Sequence, residues 1–179
     1  MDTQLVIEQT KNWITSVVIG CNFCPFASQP VKQGRVHYHV STAVDMQSCL
    51  LSFMKECQRL DDDENIETTL LILPKAVALF EEYLVLVELA EQLLISNGYE
   101  GVYQVASFHP QYQFSGTPTD DPANYTNRSI YPMLHLLREE SLELALQRYP
   151  DPEQIPEKNI RFAHKKGLDY MKLLRDSCI

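Results

Sequence analysis

No apolar run in this chain approaches the roughly 18 residues that suggest a membrane span, so the sequence offers no membrane segment. Basic charge is also scarce. Fifteen lysines and arginines stand against 24 acidic residues, a net charge of −9. Such a surface repels phosphate backbones, which disfavours general nucleic-acid binding. Six glycines and ten prolines are too few for a fibrous or disordered chain. There is no internal repeat and no low-complexity stretch. The opening Met1-Asp2-Thr3-Gln4 has no basic leader before an apolar core, so no secretory signal is visible. Five cysteines, an odd number, then read as reduced thiols of a cytoplasmic protein rather than as a disulfide framework.

What is present suits one compact domain over residues 1–179, with 45% hydrophobic and 22% charged residues. Trp13, Val17 and neighbouring aliphatics recur at helical spacing over residues 3–19, and Gly20 is a natural stop. Residues 35–41 alternate and are rich in β-formers, which predicts a strand. A helix follows over 42–60, then the acidic turn Asp61–Glu64. The β-branched run Thr68–Leu73 reads as a buried strand ended by Pro74. A long helix over 76–96 stops at Asn97-Gly98, and Val102–Phe108 is a third strand. The last 50 residues read as two helices, near 131–148 and 154–176, separated by Tyr149-Pro150-Asp151-Pro152. The alternation of strands and helices predicts an α/β fold. Its sheet is short and mostly parallel, with three to four strands packed by about five helices.

The loop between residues 109 and 128 holds the densest polar chemistry, and part of it, Tyr112–Ser115, reads as a further short strand. His109 stands at the carboxyl end of the third strand, where open α/β sheets bind ligands. Asp120 and Asp121 are adjacent carboxylates, able to hold a hard cation or supply a general base. Tyr112, Asn124, Asn127, Arg128 and Ser129 complete the loop. If a helix starts after Ser129, Arg128 beside its free amides makes an anion site for a carboxylate or phosphate. The alternative is that Asn127 or Ser129 caps that helix while Arg128 pairs with Asp120 or Asp121. On the same expected helix, His135, Arg138 and Glu139 would share one face, either turned to the loop or solvated.

Cys21 and Cys24 have C-x-x-C spacing, but they follow a helix rather than a strand, unlike thioredoxin-type motifs. With His37 and His39 they form a possible zinc tetrahedron, although these histidines are too close in sequence for a zinc finger. Cys24 is also a candidate single nucleophile, or a small apolar side chain in a core. No metal ligand set is assigned.

The combination of Gly20-Cys21-Asn22-Phe23-Cys24-Pro25-Phe26-Ala27, Phe108-His109-Pro110, Phe114-Ser115-Gly116-Thr117, Asn124-Tyr125-Thr126-Asn127-Arg128-Ser129 and Leu134-His135-Leu136-Leu137-Arg138-Glu139 resembles the domain of unknown function 1415 family. The resemblance spans nearly the whole chain. It implies signature positions at Cys24, Pro25, His109, Pro110, Tyr112, Asn127, Arg128, His135, Arg138 and Glu139, and no particular reaction or cofactor. The position of Cys21 is often aliphatic in that family, which weakens any mechanism that needs a cysteine pair; that of Ile130 is often proline, and its absence here loosens the expected helix entry but leaves Arg128 in place. The expectation is a small-molecule enzyme acting on an anionic substrate. Arg128 and Arg138 would bind the anion, His109 or His135 would move a proton, and Asp120, Asp121 or Cys24 would assist. The alternatives are a non-catalytic ligand- or protein-binding module whose loop is structural, and a zinc or thiol-redox protein.

Overall fold

The computed structural model describes residues 2–179. Asp2 caps the first helix by accepting from the Gln4 amide at 2.9 Å, and α1 (Thr3–Trp13) runs without a break into a π-helical turn, Ile14–Ile19. Gly20 closes that turn. A Cβ there would lie 2.3 Å from the Ser16 carbonyl oxygen, a clash only glycine avoids. A short helix, α2 (Ser28–Lys32), leads to β1 (Val36–Val40). Next come α3 (Met46–Asp62), β2 (Thr68–Ile72), α4 (Phe80–Ser96) and β3 (Tyr103–Phe108). Asp45 starts α3 with a capping box, accepting from the Ser48 amide at 2.8 Å.

The fold is α/β, with a four-stranded sheet in the order β1-β2-β4-β3. The β1–β2 pairing is parallel, and both pairings of β4 (Met133–Arg138) are antiparallel. The expectation of a mostly parallel sheet is corrected by this one strand. β1, β2 and β3 do run in the same direction, as crossover helices α3 and α4 require. The segment read as the start of a helix near 131–148 is instead β4, which inserts between β2 and β3 in the opposite sense. The run Met133-Leu134-His135-Leu136-Leu137 is sandwiched on both faces, so it lacks the alternation that marks a half-buried strand. The helix α5 begins only at Glu139 (Glu139–Gln147).

The expected final helix is also divided. α6 (Ile155–Lys166) and α7 (Leu168–Asp176) are broken at Gly167, which has φ +83° and ψ 163°. No strand forms at Tyr112–Ser115. The loop instead contains a 3-10 turn, Pro122–Thr126, against which α6 and α7 pack.

Two cores flank the sheet. On one face α3 and α4 cover Leu71, Leu134, Leu136 and Tyr103. On the other, α1, the π-helical turn, α6 and α7 cover Leu70, Ile72 and Met133, with Trp13 at the centre. Each such aliphatic side chain contributes about 1.5–3 kcal/mol by leaving water. Among the described residues no helix is long and apolar enough to cross a membrane.

Candidate functional site

The polar loop is satisfied by its own backbone. Arg128, 8% exposed, donates from Nε to the Tyr112 carbonyl at 2.8 Å and from Nη2 to the Thr119 carbonyl at 2.7 Å. Its guanidinium also lies over the Tyr125 ring, 4.9 Å from the centroid. No helix starts beside it, because the chain after Ser129 enters β4. The expected anion site at a helix terminus therefore does not form, and Arg128 pairs with neither Asp120 nor Asp121. Asn124 is wholly buried. Its Oδ1 accepts from the Phe114 amide at 3.0 Å and the Thr117 hydroxyl at 3.1 Å, and its Nδ2 donates to the Pro118 carbonyl at 3.0 Å. Asn127 donates from Nδ2 to the Ser107 carbonyl, and the Ser129 hydroxyl donates to the Tyr131 carbonyl. Buried carbonyls of a long loop must find donors, and these side chains supply them.

His109 is equally committed. It has no exposed surface, and its Nε2–H donates to the Val77 carbonyl at 3.0 Å while Nδ1 accepts from the Gln111 amide at 3.0 Å. That pairing fixes a neutral tautomer, and burial lowers the imidazole pKa further. Val77 has φ +47°, a strained conformation for a β-branched residue, and His109 helps hold it. Asp121 accepts from the Ala123 amide at 2.8 Å and pairs with His164 Nε2 at 2.7 Å. The amide bond from Ala123, then the His164 contact, lowers its carboxyl pKa. Asp120 and Arg128 border a shallow open depression shared with Asp169 and Lys172, where the charges are of both signs.

A different set of residues encloses the best-defined hollow. A half-enclosed cavity of about 230 Å³ lies against the sheet face that α1 covers. Its floor is Val36, Thr68, Leu70, Ala106, Phe108 and His135, on strands β1 to β4. Trp13, Ile14 and Val18 form one wall, Cys24 and Phe26 another, and Leu142 and Ala145 of α5 close a third. Of the residues singled out in the sequence, Cys24, His135 and Arg138 border this cavity. His109, Tyr112, Asp120, Asp121, Asn124, Asn127, Arg128, Ser129 and Glu139 do not. His109, Arg128 and His135 therefore face three different surroundings.

The cavity is largely apolar, with two charged residues on its border, Arg138 and Glu67, the latter paired with Arg35 at 3.0 Å. His135 Nε2 lies 2.6 Å from the Thr68 hydroxyl, which itself donates to the Leu136 carbonyl, so the ring donates to Thr68 through Nε2–H. Burial pushes the His135 pKa down to about 4. Burial likewise pushes the Cys24 thiol up, against smaller opposing effects from the Phe26 and Ala27 amides. Arg138 turns its guanidinium to the other face of β4, donating to the Leu60 and Ile66 carbonyls at 2.5 and 3.2 Å. His135 and Arg138 thus lie on opposite sides of a strand, not on one helix face.

Cys21 and Cys24 lie on the cavity side of the sheet, while His37 and His39 point to the α3 side. The Cys2His2 tetrahedron is not formed. All five cysteines are free. The histidines instead meet Glu56 of α3, with His37 Nε2 3.5 Å from Oε2 and His39 Nδ1 3.3 Å from Oε1. Sequence reasoning missed Glu56, although a signal existed. It is a carboxylate inside the apolar stripe Cys49, Phe53, Cys57 and Leu60 of α3.

Residues 5–173 match the family described as protein of unknown function (DUF1415). The chain belongs to that family. Neither a curated protein nor a solved structure matches it. The motif residues behind the resemblance divide between two roles. Asn127, Arg128 and His109 bond backbone carbonyls of β3 and of loops, while Cys24 and His135 border the cavity.

Proposed function

We propose that the protein is a small-molecule binding module and that its ligand is a neutral, largely apolar compound held in the cavity above β1 to β4. The observation that carries this reading is the cavity itself, about 230 Å³ with apolar walls and a His135–Thr68 pair in its floor. A cavity of roughly 150 Å³ accepts benzene, so this one has room for a bicyclic ring or a medium-length chain. The His135–Thr68 pair supplies a polar contact that orients such a ligand. The arrangement favours binding over catalysis. A histidine with pKa about 4 is a poor base at neutral pH, and a thiol raised by burial is a poor nucleophile. It also favours a neutral ligand over an anion, because the Arg138 and Arg128 guanidiniums are spent on backbone carbonyls. A cytosolic setting fits five unpaired thiols.

The test is a titration of isotopically labelled protein with indole, octanol and octanoate, followed by amide shifts. Indole and octanol should move the Thr68, Ala106 and His135 amides, with octanoate weaker than octanol. Ala145→Trp, which fills the cavity from α5, should abolish these shifts. Shifts that survive Ala145→Trp, or tighter binding of octanoate than of octanol, would overturn the reading.

A further inference from the structure

We infer that His37, His39 and Glu56 form a binding site for a zinc-like divalent cation, on the sheet face opposite the cavity. β1 presents His37 and His39 on one side because they are two residues apart in a strand. α3 lays Glu56 over them, with its side chain fully buried. The donor atoms of the three residues all lie within 4.8 Å of one another. The two nitrogen–oxygen separations are 3.5 and 3.3 Å. Tetrahedral zinc bound at about 2.0–2.2 Å places its ligand atoms about 3.3–3.6 Å apart, a spacing that His39 Nδ1 and Oε1 already meet, while His37 Nε2 lies beside the other oxygen of the same carboxylate and within 4.8 Å of the other donors.

A second observation points independently to a missing partner. Among the described residues, three buried side-chain polar atoms have no hydrogen bond: His37 Nε2, Glu56 Oε1 and Thr69 Oγ1. All three belong to this one place, since Thr69 is the direct neighbour of His37 across the β1–β2 pairing. Native interiors rarely leave such atoms unpaired, and rarely leave a buried carboxylate half-satisfied. Arg59 Nε, 3.1 Å away, bonds Glu56 Oε2. It steadies the carboxylate and leaves Oε1 free for a metal. The imidazoles are about one-third exposed, which gives the ion a path in and leaves a fourth position for water. Two imidazoles and one carboxylate with an open position is a borderline donor set, suited to zinc and to cobalt or nickel, not to calcium or magnesium.

The experiment is metal analysis and zinc titration of the full chain, purified without chelators and with any polyhistidine tag removed. One equivalent of zinc should stay bound through gel filtration, and Co²⁺ in its place should show the visible bands of a tetrahedral site. Both Glu56→Gln and His39→Gln should lose the stoichiometric zinc and the cobalt bands. His39 is partly exposed, so His39→Gln remains readable if the buried Glu56→Gln variant does not fold. Absence of stoichiometric zinc binding in the wild type, or unchanged binding in His39→Gln, would overturn the inference.

Discussion

Acidification should destabilise this protein through His135 over a defined window. The ordinary pKa of the imidazole is 6.5, and in the fold burial lowers it to about 4. Between these values the unfolded chain holds the proton and the folded chain does not. Stability contributed by the neutral ring is therefore fully present above about pH 6.5 and falls as the pH drops toward 4. The gap corresponds to about 3 kcal/mol at most, because the ring lines a half-enclosed cavity that water can reach. His135→Gln removes the titration while keeping a donor for Thr68. Urea unfolding at pH 7.5 and pH 4.5 should show a smaller acid loss in the variant, the difference being about 2–3 kcal/mol. His37 and His109 are also lowered by burial, but they titrate equally in both proteins and cancel in the comparison. Parallel losses in the two proteins would refute the argument, since they would mean that His135 is not buried as a neutral ring.

The loop and the helix break supply two further predictions. Arg128→Lys should destabilise the fold by about 1–3 kcal/mol in chemical denaturation, because an ammonium cannot fork to the Tyr112 and Thr119 carbonyls together. A change within about 0.5 kcal/mol of zero would show that the guanidinium is free and available to an anion. Gly167→Ala should cost about 1–3 kcal/mol in the same assay, since φ +83° with ψ 163° is a region essentially reserved for glycine. Nothing lies within 4 Å of the added Cβ, so the cost is backbone strain alone. A stabilised variant would mean that α6 and α7 can run as the single helix their spacing suggests.

The three forward-running strands and their crossover helices were legible because local pattern specifies them. β1 alternates, β2 is a short apolar run with a proline after it, and α4 stops at Asn97-Gly98. β4 was not legible. Burial on both of its faces removes the period of two, and its leucines suit a helix as well as a strand. Misreading it displaced His135 and Arg138 onto one imagined face and put a helix terminus beside Arg128. The cysteine–histidine grouping failed for a similar reason. Spacing along the chain showed that His37 and His39 share a direction, but not which side of the sheet each pair would face.

The amino-acid sequence by itself determined composition, charge, the membership implied by its motifs, and most of the elements, since these follow from neighbours a few residues apart. Only tertiary structure decided what the polar side chains do. Backbone carbonyls of the loop claim Arg128 and Asn124, and one of β3 claims Asn127, because buried backbone must be bonded before side chains are free for ligands. The same packing brings Cys24 and His135 to one apolar cavity and sets Glu56 against two histidines, encounters among residues far apart in the chain that no local pattern encodes.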